Sequence, residues 1–366
     1  MSYQPRYEQL TITARKNSII TSPGTIFLIG AGYIGGEILD LLLAEKYTVT
    51  ALVRREAHAA ELQALGASTV LGNLDDSDLL ARQASESDIV IHSATADHLP
   101  SVQAVLKGVT KRVEAGKKAI YIHTSGVSEL SDDSEGAYKS EKVFRDDKPE
   151  EIDALPNDSP HREVDLSILK VREELGSKAK IAIVLPPVIY GVGSRGDRLS
   201  IQLPTMACWA IKHGFAGHVG KGLSTWSQVH IADLARGYLT ILHWLEQPTS
   251  TDSITENPYF FIENGEQLSW GECATEIGKA LYAAGKIRSP EPKEIPKELY
   301  SDLFGVYTRR VIGSNARNQA VRLRELGWHA KEKTTHGSLS EDEIPIILEE
   351  EGDFKGYAAP VASGAN

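Results

Sequence analysis

Cysteine is scarce in this chain: Cys208 and Cys273 are far apart in 366 residues, with no neighbours at metal-ligand spacing. That scarcity argues against a disulfide framework and a zinc site, and it fits a reducing, cytosolic compartment. Positive charge is also short, since 39 Lys and Arg face 50 Asp and Glu for a formal net charge of −11. A nucleic-acid partner needs a basic surface, so none is expected. No apolar run approaches the ~20 residues of a membrane span, so no membrane partner is expected either. The first twenty-odd residues lack the apolar core of a secretion signal and read as a leader, 1–23, packed outside the first strand. Apolar content of 41% and charged content of 24% are ordinary for a globular chain. This length suits one large domain or a domain with a smaller lobe.

Residues 25–40 carry the strongest signal. An apolar strand, Thr25-Ile-Phe-Leu-Ile, runs into Gly30-Ala-Gly-Tyr-Ile-Gly35, and an apolar-periodic helix starts on the last glycine. Gly30 permits a tight turn off the strand, Gly32 lets backbone approach a pyrophosphate, and Gly35 lets the helix pack close to the sheet. The opening of the helix offers free N–H groups and a positive dipole end to phosphates. Strand, glycines and helix stand in the order that binds a dinucleotide.

Strands and helices then alternate. Apolar, β-branched runs at 47–53, 68–71, 88–93 and 119–123 are separated by helical patterns, which calls for a parallel sheet with right-handed crossovers. Residues 128–160 interrupt this rhythm with many acids, Gly136, Pro149, Pro156 and Pro160, as an irregular excursion. A helix over 161–175 and a sixth strand over 180–185 follow, closed by Pro186-Pro187. The fold class is thus α/β, a Rossmann-type doubly wound parallel sheet over 24–190. A smaller C-terminal substrate lobe covers 191–335, with some segments returning to the main domain. The remainder, 336–366, reads as an acidic, partly flexible tail.

The end of the second strand distinguishes the two nicotinamide cofactors, because an acid there binds the ribose diol and an arginine pairs with a 2′-phosphate. This chain places Arg54 and Arg55 there, and guanidinium suits phosphate, so NADP(H) is favoured. Glu56 next door keeps NAD(H) possible.

Several further motifs stand in order. They are Leu71-Gly-Asn-Leu-Asp75, His123-Thr-Ser-Gly126, Leu185-Pro-Pro-Val-Ile-Tyr-Gly191, Trp226-Ser-Gln-Val-His-Ile-Ala-Asp-Leu-Ala235, and Ser314-Asn-Ala-Arg317 with Leu326-Gly-Trp328. Together with the glycine turn they resemble the extended short-chain dehydrogenase/reductase superfamily, of the NAD-dependent epimerase/dehydratase type, over roughly 24–330. The resemblance implies a cofactor trough lined by Ala31, Tyr33, Ile34, Leu74, Ala94, Thr95, Thr124 and Pro186. It also implies a Ser or Thr holding the substrate oxygen, and a Tyr acid/base with a Lys four residues later.

Ser125 suits the first role, with Thr124 second. The second role has two candidates. Tyr138 and Lys142 have the i,i+4 spacing of one helix face, thirteen residues beyond Ser125. Counting back from Pro186, however, the family slot falls at His161 and Asp165, a histidine where the tyrosine is expected and an acid where the lysine is expected. Such a pair can act as an acid/base whose imidazolium a carboxylate stabilises. The leading function is an NADP(H)-dependent oxidoreductase or epimerase-like enzyme acting on a carbonyl or alcohol of a small organic molecule. A non-redox NADP sensor resembling the NmrA group is the rival, and a redox-neutral lyase or isomerase a third. Family resemblance also makes a homodimer possible.

Overall fold

The computed structural model describes residues 24–195 and 198–349. Its centre is a seven-stranded sheet, parallel throughout. The strands are β1 (Thr25–Ile29), β2 (Thr48–Val53), β3 (Ser68–Leu71), β4 (Ile89–His92), β5 (Ala119–Thr124), β6 (Ala179–Leu185) and, from the second lobe, a strand at Tyr259–Phe261. Their spatial order is Tyr259–Phe261, β6, β5, β4, β1, β2, β3, so the order reverses between β1 and β4. Open α/β sheets bind ligands at such a switch point, beyond the carboxyl ends of the strands. Ile26, Phe27, Leu28 and Ile29 are all buried, as expected of a strand covered by helices on both faces. The helices α1 (Tyr33–Ala44), α2 (Glu56–Ala64), α3 (Ser77–Glu86), α4 (Leu99–Glu114) and α5 (Arg162–Leu175) cover the faces.

Two glycines make the first turn possible. Gly30 has φ +95°, and a Cβ there would lie 2.5 Å from the Ala94 backbone. A Cβ on Gly35 would lie 2.0 Å from the Gly30 carbonyl oxygen. The turn and the loop after β4 therefore meet at close range, with the Ser93 hydroxyl donating to the Gly30 carbonyl at 3.0 Å.

Beyond β6 the chain builds a second layer. In a three-stranded sheet Thr225–His230 pairs parallel with Val188–Tyr190 and antiparallel with Gln267–Ser269. Helices α6 (Gln202–His213), α7 (Ile231–Glu246) and α8 (Trp270–Ala283) pack around these strands. Trp209 and Trp226 are core residues of this lobe, and the Trp226 indole N–H donates to the Ser314 carbonyl at 2.8 Å. Helix α8 opens with a capping box in which Ser269 Oγ accepts from Glu272 N while the Glu272 carboxylate accepts from Ser269 N. Ser269→Ala is expected to lower unfolding free energy by about 1 kcal/mol in urea titration. An unchanged midpoint would mean that the box contributes nothing.

Two sequence expectations fail in the structure. No helix forms over Tyr138–Lys142. Asn315 Oδ1 accepts from Ser140 N and Asn315 Nδ2 donates to the Tyr138 carbonyl, while Arg317 holds the Ser140 carbonyl. Those long-range bonds take the backbone groups that a helix would need. The tail also departs from expectation, since 335–349 is helical and buries Leu339, Glu343, Ile344 and Ile347 against the second lobe. The leader 1–23 and the stretch 350–366 lie outside the described residues.

Candidate functional site

The loops at the carboxyl ends of the parallel strands all lie along one edge of the sheet. Helix α1 begins at Gly32 without a side-chain cap and without an acid in its first turn. Its first amides are therefore open to an anion, and the positive dipole end points the same way. That chemistry fits a diphosphate on Ala31, Gly32, Tyr33 and Ile34. Tyr33 is anchored from below, its hydroxyl donating to the Gly191 carbonyl at 2.6 Å. Arg54 and Arg55 stand exposed at the end of β2. Arg198 and Arg195, from the loop after Gly193, lie near Arg55 across His58, whose pKa is lowered by burial and by these three cations. With Ser194, Arg195 ties that loop to Asp40 of α1.

Of the other residues expected in the trough, Leu74 and Thr95 are half-buried and Ala94 is exposed on the loop after β4. Pro186 is buried, its carbonyl accepting from Val127 N at 3.1 Å. Thr124 is committed elsewhere, with its hydroxyl 2.6 Å from the Tyr238 hydroxyl. Ser125 follows at the end of β5, buried, with its Oγ lacking a partner among the described residues.

His161 and Tyr138 have different surroundings. Tyr138 is 51% exposed, and the Lys142 ammonium is paired with the Glu151 carboxylate at 2.6 Å. They do not share a helix face. His161 sits just before the first turn of α5 in a left-handed conformation, φ +67°. Non-glycine residues adopt this region rarely, and mostly where the surroundings enforce it. Here two hydrogen bonds do so. The imidazole Nδ1 is 2.6 Å from Asp97 Oδ1 and Nε2 is 2.5 Å from Ser128 Oγ. The ring also covers Gly126, where a Cβ would meet Nε2 at 3.2 Å. Burial alone would raise the Asp97 pKa, but the His161 hydrogen bond and charge hold it below the ordinary carboxylate value. An imidazole gripped by a carboxylate at one nitrogen and a hydroxyl at the other has a fixed orientation. That arrangement can move a proton.

Asp165 comes one turn later, fully buried beside Ser125 and Glu129. The partners of His161 were missed in the sequence because they sit in separate loops, 64 and 33 residues away. Arg195 and Arg198 had no strand-end signal, since they arrive from the second lobe.

A family model described as NAD(P)H-binding matches residues 30–154. The chain is 32% identical to oxidase ucsJ of Acremonium sp over 91% of its own length and 99% of that protein. Among solved structures it resembles UDP-glucose 4-epimerase of Thermotoga maritima, with TM-score 0.62 and 18% identity, covering 89% of this chain and 100% of that one. It also resembles the NADPH complex of Gre2 from Candida albicans, with TM-score 0.59 and 16% identity, covering 90% and 100%.

Proposed function

The chain belongs to the extended short-chain dehydrogenase/reductase superfamily, with an NAD(P)H-binding domain, and on that premise we propose an NADP(H)-dependent oxidoreductase acting on a carbonyl or alcohol of a small organic molecule. The observation that supports this reading is His161, held between Asp97 and Ser128, at the position that counting back from Pro186 assigns to the superfamily's acid/base. The nicotinamide, when bound, supplies or accepts the hydride. In reduction the protein's part is to orient the carbonyl oxygen and deliver one proton to it. Ser125 orients the oxygen. His161 gives up the proton, either directly or through the Ser128 hydroxyl, and Asp97 stabilises the imidazolium before transfer. In oxidation the same groups run in reverse. Tyr138 is exposed and takes no part.

The preference for NADP(H) rests on Arg54 and Arg55, with Arg198 contributing to the positive field around them. Arg54→Ala with Arg55→Ala is expected to weaken NADPH binding by roughly 10-fold or more and to leave NADH binding nearly unchanged. Equal weakening of both nucleotides in calorimetry would remove these residues from 2′-phosphate recognition.

Turnover is tested by following NADPH absorbance against a panel of ketones, aldehydes and nucleotide sugars. Consumption of NADPH with any of them supports the enzyme. Intact NADPH binding with no consumption across the panel would favour the sensor. Asp97→Asn is expected to lower kcat by about 10-fold, far less than the ~10⁴ lost when a triad's buried aspartate is replaced, because Asp97 is 57% exposed.

A further inference from the structure

The two groups that hold His161 stand in an order with a chemistry of its own. Nδ1 faces Asp97 Oδ1 at 2.6 Å, and Nε2 faces Ser128 Oγ at 2.5 Å. Burial would raise the Asp97 pKa, yet the His161 hydrogen bond and charge hold it below the ordinary carboxylate value. Asp97 is therefore ionised at neutral pH and can only accept. The proton of a neutral ring then sits on Nδ1. Nε2 keeps a bare lone pair, to which the Ser128 O–H donates. A carboxylate, an imidazole and a serine hydroxyl in this sequence make an activated nucleophile, which is recognised by geometry rather than by chain position.

The surroundings fit that use. Gly126 leaves room for the Ser128–His161 bond, since a Cβ there would lie 3.2 Å from His161 Nε2 and 3.6 Å from Ser128 Oγ. Ser128 is half-buried and the imidazole 18% exposed, so neither is sealed in the core. In the short turn Val127–Leu130, Val127 N and Glu129 N donate to the Pro186 and Gly126 carbonyls at 3.1 and 3.2 Å. The Ser128 N–H donates to none of the described residues. In serine proteases the nucleophile's own amide is one of two donors that hold the oxyanion. One donor in place of two forgoes about 10²- to 10³-fold in rate. With Asp97 exposed as well, the arrangement suits esters whose leaving group departs readily.

We propose that Ser128, His161 and Asp97 are a hydrolytic triad that cleaves small activated esters without a nucleotide. Ser128 Oγ attacks the acyl carbon while its proton passes to His161 Nε2, and the imidazolium returns that proton to the departing alcohol or phenol oxygen. Water then attacks the acyl-serine and gives a proton to Nε2. The acyl carbon–Oγ bond breaks, the carboxylic acid leaves, and Ser128 takes its proton back. One ester and one water become one acid and one alcohol, with no change of oxidation state. Hydrolysis starts from the neutral ring and carbonyl reduction from the imidazolium, so the two activities share residues but not a protonation state. The triad does not rest on the oxidoreductase reading.

The test treats the full-length protein, free of nucleotide, with a fluorophosphonate probe and separately with p-nitrophenyl acetate. The probe is expected to label each chain once, at Ser128 by peptide mass spectrometry, and the ester to release nitrophenolate. Ser128→Ala and His161→Phe are each expected to abolish labelling and to lower phenolate release by roughly 10-fold or more. Asp97→Asn should slow both reactions by about 10-fold. No label, or a label on the neighbouring Ser125, overturns the triad. So does phenolate release that persists in Ser128→Ala, since imidazole or lysine side chains acting alone would then account for it. The wild-type label is read without any variant, so a substitution that fails to fold cannot shield the proposal. Consumption of NADPH by a protein that takes no label would sink the triad and leave the oxidoreductase reading standing.

Discussion

His161→Phe is expected to lower kcat for carbonyl reduction by about 10²- to 10⁴-fold, the range supplied by a positioned general acid. The ring volume is kept, so the cover over Gly126 stays in place while both nitrogens are lost. Nucleotide affinity should hold, because the diphosphate and adenosine contacts are proposed for α1 and the end of β2, not for this side chain. A kcat within a few-fold of wild type would remove His161 from proton transfer. Tyr138→Phe is the matching control. An exposed side chain outside any helix should have no effect on turnover.

Gly35→Ala is the second large effect, and it acts on the turn itself. The added carbon would stand 2.0 Å from the Gly30 carbonyl oxygen and 2.6 Å from Ser93 Oγ. The Gly30 oxygen is backbone, and Gly30 is itself hemmed in by the Ala94 backbone, so neither side can yield cheaply. Overpacking of this kind costs about 3 kcal/mol. The variant should unfold at clearly lower urea and bind NADPH too weakly to measure, since the first amides of α1 shift away from the diphosphate. Wild-type stability together with wild-type binding would show that the close approach is dispensable.

These two sites differ in how readily they can be read from sequence. The β1–turn–α1 unit is built from neighbours, so its glycines, strand and helix were all legible in sixteen consecutive residues, and the alternation that follows gave the parallel sheet. The Tyr138–Lys142 spacing is equally local but misled, because Asn315 and Arg317, far along the chain, claim the backbone that a helix would use. Residues 335–349 misled for a related reason. Their acids suggested a solvated tail, while Leu339, Ile344 and Ile347 bury against the second lobe. His161 and Asp165 were found by counting back from Pro186. Their partners were not, because Asp97, Ser128 and Glu129 reach them only through the topology that sets the loops after β4 and β5 against the start of α5. Local pattern reveals a glycine turn well, and a side-chain cluster assembled from three loops poorly.

The oxidoreductase reading depends on a pyridine nucleotide resting against the amides that open α1. Calorimetric titration of the full-length protein with NADPH, and separately with NADH, measures this directly. Saturable heat at one site per chain, with NADPH the tighter ligand, is the expected result. No heat from either nucleotide would contradict the cofactor site, and the oxidoreductase and sensor readings would fall with it.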